Sequence, residues 1–554
     1  MSQTLWWKIT SLLIASLVFF PILTLLWLST TADLSIWAHL YTTVLDDYIS
    51  STLTLMAGVA VLTLVVGIGS AWLVTQYQFF GSRVLQWALL LPLAMPTYIT
   101  AYSYTGLLDV AGPIQSALRT SLNIQFGDYW FPEIRSLGGA IFVMSFVLYP
   151  YVYLLARASF LEQSRYLGDT AQLLGHSRAR AFLKINLPIA RPAIVAGLTL
   201  VLMETLADYG AVSYFGVNTF TTGIFRTWQS LDSIGGATQL ALLLLSFVIV
   251  LMVLEKQSRK RSRYHSKKTT EPTPSKVLQG SKQFWAFGLG FLPVVLGFFI
   301  PTGQLLYWAV KTREQLLEGS FWLLIGNTLY LASITALIAL MLALIIAYAN
   351  RISHSKSIQF AKSVVGLGYA IPGAVIAIGT LIPLARLDNA VDAWFRAHMD
   401  VNLGLLLTGS LTALIITYLV RFMAVALNAV DSGLQGIGLN MDQAARSLGN
   451  TPIRVLQRVH IPVLRSSLLT ALLIVFVDVM KELPATLIIQ PFNFKTLALR
   501  AYELASDERL ADASMASIAI VLAGLIPVIL LTRVINRQPH ADKRPVLEST
   551  LAKT

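Results

Sequence analysis

Apolar stretches of about twenty residues recur along the whole chain, and short segments between them carry most of its charge. About twenty helical residues rise roughly 30 Å, the thickness of a bilayer's hydrocarbon core. The pattern predicts membrane-crossing helices at 9–29, 51–75, 84–108, 137–157, 189–212, 235–254, 284–309, 325–349, 362–384, 404–428, 463–487 and 513–533. The first run, Ile9 to Leu28, is too long for the apolar region of a signal peptide. No small-residue cleavage site follows it, so it is expected to remain as a helix. Tryptophans near span ends, such as Trp6, Trp7, Trp308 and Trp322, fit a belt at the lipid–water boundary.

Composition agrees. Of the 554 residues, 55% are hydrophobic and 12% charged, with a mean hydropathy of +0.67. A soluble chain could not cover that much apolar surface, whereas lipid can act as its outer solvent. The net charge of +13 does not point to nucleic acid, because the bases lie beside predicted spans. Residues 255–282 hold nine Lys/Arg against two acids and fall between the sixth and seventh spans. Their Pro, Ser and Thr content predicts a flexible linker, and the positive-inside rule places it in the cytoplasm. Arg178, Arg180, Lys184 and Arg191 mark a second cytoplasmic loop, and Arg446, Arg454, Arg458 and Arg465 a third. Twelve spans then put both termini in the cytoplasm. Cysteine is absent, which excludes disulfides, thiolate metal sites and iron–sulfur clusters.

The second half repeats the first. Ser51-Thr52-Leu53 aligns with Asn327-Thr328-Leu329, and Ala94-Met95-Pro96 with Ala370-Ile371-Pro372, both at an offset of 276. After a net two-residue deletion the offset is 274, pairing Gly175 with Gly449, Arg180 with Arg454, Pro188 with Pro462 and Arg226 with Arg500. Register-locked Gly, Pro and Arg do not arise from shared composition. Six spans return the chain to its starting side, so the repeats are parallel and related by an axis along the membrane normal. The organisation read from this is a first repeat at 1–254, the linker at 255–282, a second repeat at 283–538 and a cytoplasmic tail at 539–554.

The loop between the fourth and fifth spans of each half carries the most specific pattern. The first reads Asp169-Thr170-Ala171, with Gly175 following and Ile185-Asn186-Leu187-Pro188 at its end. The second reads Gln443-Ala444-Ala445, then Gly449, then Val459-His460-Ile461-Pro462. This predicts a short helix, a glycine turn, a second amphipathic helix, and a proline where the next span begins. The pattern resembles the E-A-A loop of binding-protein-dependent ABC transporter permeases, and the resemblance covers nearly the whole chain. It implies an all-α integral membrane fold of the type I importer permease kind, in the bacterial inner membrane, with each half one six-span domain. It implies that the loop at 169–188 and the loop at 443–462 dock into separate ATP-hydrolysing subunits and transmit their closure. The family's Glu is replaced here by Asp169 and Gln443, and its first Ala by Thr170. No G-x-x-x-x-G-K-[ST] loop is present, so ATP and Mg are expected on two partner ATPase subunits and not on this chain, which is not itself an enzyme. A periplasmic substrate-binding protein is the remaining partner the resemblance implies.

The span after each loop holds acids, which are costly in lipid and tend to face an interior path. They are Glu204 and Asp208 in the first half and Asp478 and Glu482 in the second, paired at the 274 offset. Sixteen to twenty helical residues beyond Pro462 climb about 24–30 Å, toward the outer face. A cation path or gate would use such a cluster. Pairing with Lys481, Arg226 or Arg500 to stiffen a gate is the alternative. The stretches 203–216 and 479–514 resemble the ferric-iron branch of the fused permeases; thiamine, polyamine and phosphonate permeases share that architecture. A twelve-span secondary transporter would match the topology but has no need of a repeated cytoplasmic knob. The seven histidines are scattered, with His176 and His460 read as surface residues of the loops.

Overall fold

A computed structural model describes residues 2–30, 34–163, 177–260, 276–353 and 355–536. Among these residues eleven helices are long and apolar enough to cross a bilayer. In chain order they are the first span Leu5–Thr30, the second Leu45–Gln76, the fourth Leu137–Leu161, the fifth Ala179–Ala207 and the sixth Ile234–Ser258. The second half supplies the seventh, Ser281–Lys311, the eighth, Gly319–Ile352, the ninth, Gly373–Met399, the tenth, Leu411–Gln435, the eleventh, Pro452–Met480, and the twelfth, Leu510–Leu530. The third span is a bent pair, Ser82–Ala94 and Thr97–Leu122, with 93° between its arms.

Two prolines explain where the predicted third and ninth spans break. A residue before proline is pushed out of the helical region by the proline ring. Met95 accordingly takes φ −94°, ψ 119° and Ile371 takes φ −81°, ψ 127°. Each chain restarts as a helix one residue beyond the proline, at Thr97 and at Gly373. The predicted span at 362–384 is thereby corrected: Lys356–Leu367 is a separate helix, and the crossing is Gly373–Met399.

The fifth and eleventh spans also end earlier than predicted, at Ala207 and Met480. Short helices follow, Gly210–Tyr214 and Pro484–Ile489. The start of these spans differs from expectation as well. Pro188 and Pro462 do not open a helix but lie inside a continuous one, just past five-residue π turns at Phe182–Asn186 and Leu456–His460. A proline ring meets the carbonyl four residues back, and the wider π turn makes room for it. The two π turns sit 274 residues apart, so the repeat extends to irregularities of the backbone.

Within each half the same three spans pack together, the second, fourth and fifth, and the eighth, tenth and eleventh. Close approach is glycine-dependent: a Cβ on Gly197 would lie 2.9 Å from the Val152 Cα and 3.0 Å from the Tyr151 carbonyl oxygen. The halves are interleaved. The first span packs on the eighth and ninth spans and on Lys356–Leu367, while the seventh packs on the third, fourth and twelfth.

Part of the predicted linker is helical, since the sixth helix runs on to Lys260, and Lys276–Val277 pairs in parallel with Tyr77–Gln78. Trp7 is no lipid-facing belt residue: it is buried, edge-on to Tyr348.

Candidate functional site

The breaks in the third, fifth, ninth and eleventh spans converge. They enclose a cavity of about 80 Å³ between the two halves, lined by Thr97, Tyr98, Tyr151, Glu204, Asp208, Tyr369, Arg421, Asp478, Lys481 and Glu482 among others. At about 10–15 Å³ per water this is room for roughly five to eight waters. All four carboxylates anticipated from the sequence therefore reach one place.

They are not equivalent there. Glu482 is buried with Arg421; Nη1 of the arginine lies 3.0 Å from both carboxylate oxygens, and Ala485 N–H donates at 3.1 Å. Asp478 pairs with Lys481 at 2.9 Å, so Lys481 does not pair with its neighbour Glu482. Asp208 accepts from the Thr97 hydroxyl and from the backbone N–H groups of Ala211 at 3.0 Å and Val212 at 3.3 Å. It thus holds the start of the Gly210–Tyr214 helix. Glu204, half-buried, makes neither a hydrogen bond nor an ion pair among the described residues. The other anticipated partners stay away: Arg226 donates to Asn218, and Arg500 pairs with Glu503.

Repeat positions explain the asymmetry. Thr97 corresponds to Gly373, Val147 to Arg421 and Ala207 to Lys481. In the first half a threonine hydroxyl meets Asp208. In the second, the space of that side chain is occupied by the ion pair. A Cβ on Gly373 would lie 2.3 Å from Arg421 Nη1 and 2.6 Å from Glu482 Oε1. With all groups ionised, four carboxylates against one guanidinium and one ammonium leave the cavity at −2. Such a lining attracts cations and repels oxyanions.

Sequence reasoning missed Arg421, Tyr98 and Gly373. A base in the middle of an apolar span was the available signal for Arg421. Tyrosine is too common in these helices to flag Tyr98, and nothing in the sequence marks Gly373 as making room for an ion pair.

Beyond the cavity, away from residues 439–460, the halves touch again. Tyr209, which lines the cavity, and Ser213 each lie 3.3 Å from the Tyr502 hydroxyl. Arg135 donates to Glu508 at 2.7 and 2.9 Å and pairs with Asp109 at 3.3 Å. Hydrogen bonding to Arg135 holds the Glu508 carboxyl below its ordinary value.

At the other end lie the two repeated loops. Asp169, Thr170, Ala171 and Gly175 fall outside the described residues; Ile185 is in the π turn, and Leu187 and Pro188 directly follow it in the same continuous helix. In the second loop Gln443, Ala444 and Ala445 lie on the helix Leu439–Ser447. Gly449 follows at φ +79°, with its N–H on Arg446 at 2.9 Å and Asn450 N–H on Ala445 at 3.3 Å. This is the left-handed helix end that glycine permits without strain. Val459 sits in the π turn, and Ile461 and Pro462 directly follow it in the same continuous helix.

His460 is not a surface residue. It is fully buried, and its Nε2 hydrogen-bonds Asp442 on the short helix. Asp442 also takes Arg351 Nε at 2.8 Å, from the eighth span, and Arg351 Nη2 reaches the Ile437 carbonyl at 2.8 Å. One carboxylate therefore ties the short helix to two membrane spans. In the first half Asn186 stands at the position of His460 and bonds Gln163.

The family described as binding-protein-dependent transport system inner membrane component matches residues 63–264. The chain is 26% identical over 492 residues to the Fe(3+)-transport system permease protein FbpB 2 of Haemophilus influenzae, covering 88% of this chain and 90% of that protein. It is 22% identical over 466 residues to the ferric transport system permease protein FbpB of Actinobacillus pleuropneumoniae, covering 79% and 64%. The sulfate transport system permease protein CysT of Salmonella typhimurium is 30% identical over 154 residues, covering 28% of this chain and 53% of its own length.

Proposed function

We propose that the chain, which matches the binding-protein-dependent transport system inner membrane components over residues 63–264, is the fused, two-domain translocation subunit of an ATP-driven importer of ferric iron. The cavity between the halves is its substrate path. The observation that carries the cargo assignment is the lining, eight oxygen-bearing carboxylate and phenol side chains at a net −2, which suits a hard cation and opposes sulfate or molybdate. Similarity supports it: relatives named for ferric transport align over 79–88% of this chain, and the sulfate and molybdenum permeases over 27–38%.

In this reading residues 1–254 and 283–538 are the two permease domains, and the chain lies in the bacterial inner membrane with both termini in the cytoplasm. The loops at 169–188 and 443–462 meet two ATPase subunits, which carry ATP and Mg. A periplasmic binding protein delivers the cargo to the opposite end, where the Arg135–Glu508 and Tyr209–Tyr502 contacts close the path. ATP-driven closure of the ATPases pushes the short helix Leu439–Ser447, and Asp442 carries that push to the eighth and eleventh spans. The outer contacts then part and the cavity opens outward, and hydrolysis returns it.

The test is uptake of radiolabelled ferric iron into proteoliposomes holding the chain and its ATPase, with the binding protein supplied outside. Accumulation that requires ATP and all three components is expected. Binding-protein-stimulated hydrolysis without iron uptake would keep the importer and overturn the cargo.

A further inference from the structure

We infer that the cavity contains a transit site for a hard trivalent cation on its first-half wall, where the Glu204 carboxylate and the Tyr98 hydroxyl are the protein's ligands. The inference rests on the import reading above and narrows it from four acids to two residues.

Three of the four carboxylates are already committed. Glu482 and Asp478 are neutralised by Arg421 and Lys481, and Asp208 caps a helix. Glu204 is their counterpart without a partner. The two cations of the second half have no equivalent in the first, because Val147 and Ala207 stand at their positions. Glu204 shares the cavity with Arg421 and Lys481 but forms no ion pair with either; a half-buried carboxylate left without a direct partner is costly, and a cation arriving from outside lowers that cost.

The second observation is independent. Tyr98 is 4% exposed and lines the same cavity, yet its hydroxyl has no hydrogen-bond partner. Buried hydroxyls are seldom left unpaired. Its repeat counterpart is Ala374, so this donor too belongs to the first half alone. Carboxylate and phenol oxygens suit hard cations.

Two ligands are few. Among the described residues no group of three His, Cys, Asp or Glu side chains is placed to hold a metal ion. The ion therefore keeps most of its shell as water or a small chelator. Weak capture is what passage requires, since a site must be favourable enough to enter and loose enough to leave.

The test uses the purified full chain in lipid nanodiscs and terbium(III), a hard, oxygen-seeking trivalent probe whose emission is excited through nearby tyrosine. Wild type should show a saturable component that Glu204→Gln and Tyr98→Phe each weaken at least about tenfold. Glu204→Asp should retain it, which guards against misfolding. Equal binding by wild type and Glu204→Gln, or no saturable component in wild type, overturns the site. Iron uptake separates the two readings. If wild type binds terbium through Glu204 but does not accumulate iron, the site stands and the cargo falls. If Glu204→Gln imports iron as wild type does, the site falls and the cargo stands.

Discussion

Removing the guanidinium of Arg421 should cost this protein more stability than removing any other charge in the cavity. The Arg421 and Glu482 side chains are 7% and 5% exposed, so water can screen neither. In Arg421→Met the Glu482 carboxylate keeps one backbone donor, Ala485 N–H, and loses its counter-charge. Stranding one member of a buried pair costs about 3–5 kcal/mol. Lys481 and Asp478 are 28% and 14% exposed, and solvent reaches the ammonium, so Lys481→Met should cost only about 1 kcal/mol. The double variant Arg421→Met with Glu482→Gln removes both charges while leaving an oxygen for Ala485, and should recover all but about 1–2 kcal/mol. Unfolding of the purified chain in one detergent, at one scan rate or by denaturant titration, measures all three. Gly373→Ala approaches the same pair from outside, because its methyl would overlap both Arg421 Nη1 and Glu482 Oε1. If Arg421→Met falls within about 1 kcal/mol of wild type, or the double variant is no better than the single, the ion pair is not what holds this wall.

The remaining expectations concern the ends of the path. Gly449→Val places a branched residue at φ +79°, at a position where an added Cβ meets no atom within 4 Å. It should cost about 1–3 kcal/mol locally, leave membrane yield intact and abolish ATP-driven uptake; normal uptake would remove this loop from coupling. Asp442→Asn keeps the shape but weakens the tie to Arg351 and His460, so ATP turnover should persist while uptake per ATP falls several-fold, read as a ratio of two rates. Glu508 has a depressed native carboxyl, so its contact with Arg135 is fully present above the ordinary carboxylate value and is lost only as pH falls through the lowered one. Spin labels on either side of it should report an unchanged spacing from pH 7 down past the ordinary carboxylate range, and an early opening would refute the assignment.

Apolar runs by themselves established that the chain crosses the membrane about twelve times, because a hydrocarbon core of fixed thickness demands runs of that length. Glycines, prolines and arginines in register established the repeat, and the prolines of the two loops marked where the helices change character. Those signals lie in the order of residues along the chain, and none of them depends on which segments meet in space. The four acids were legible as a set for the same reason: charge in an apolar span is conspicuous wherever it folds. Their division of labour was not. Whether Lys481 meets Asp478 or Glu482 depends on helix phase at a broken span end. Whether Glu482 is neutralised depends on Arg421, sixty-one residues earlier, and on the missing side chain of Gly373. His460 likewise read as a loop residue until Asp442 and Tyr348, from separate elements, enclosed it. Tertiary structure alone decided these, because a buried charge is defined by what distant segments bring to it, and two repeats of one fold met that demand with different residues.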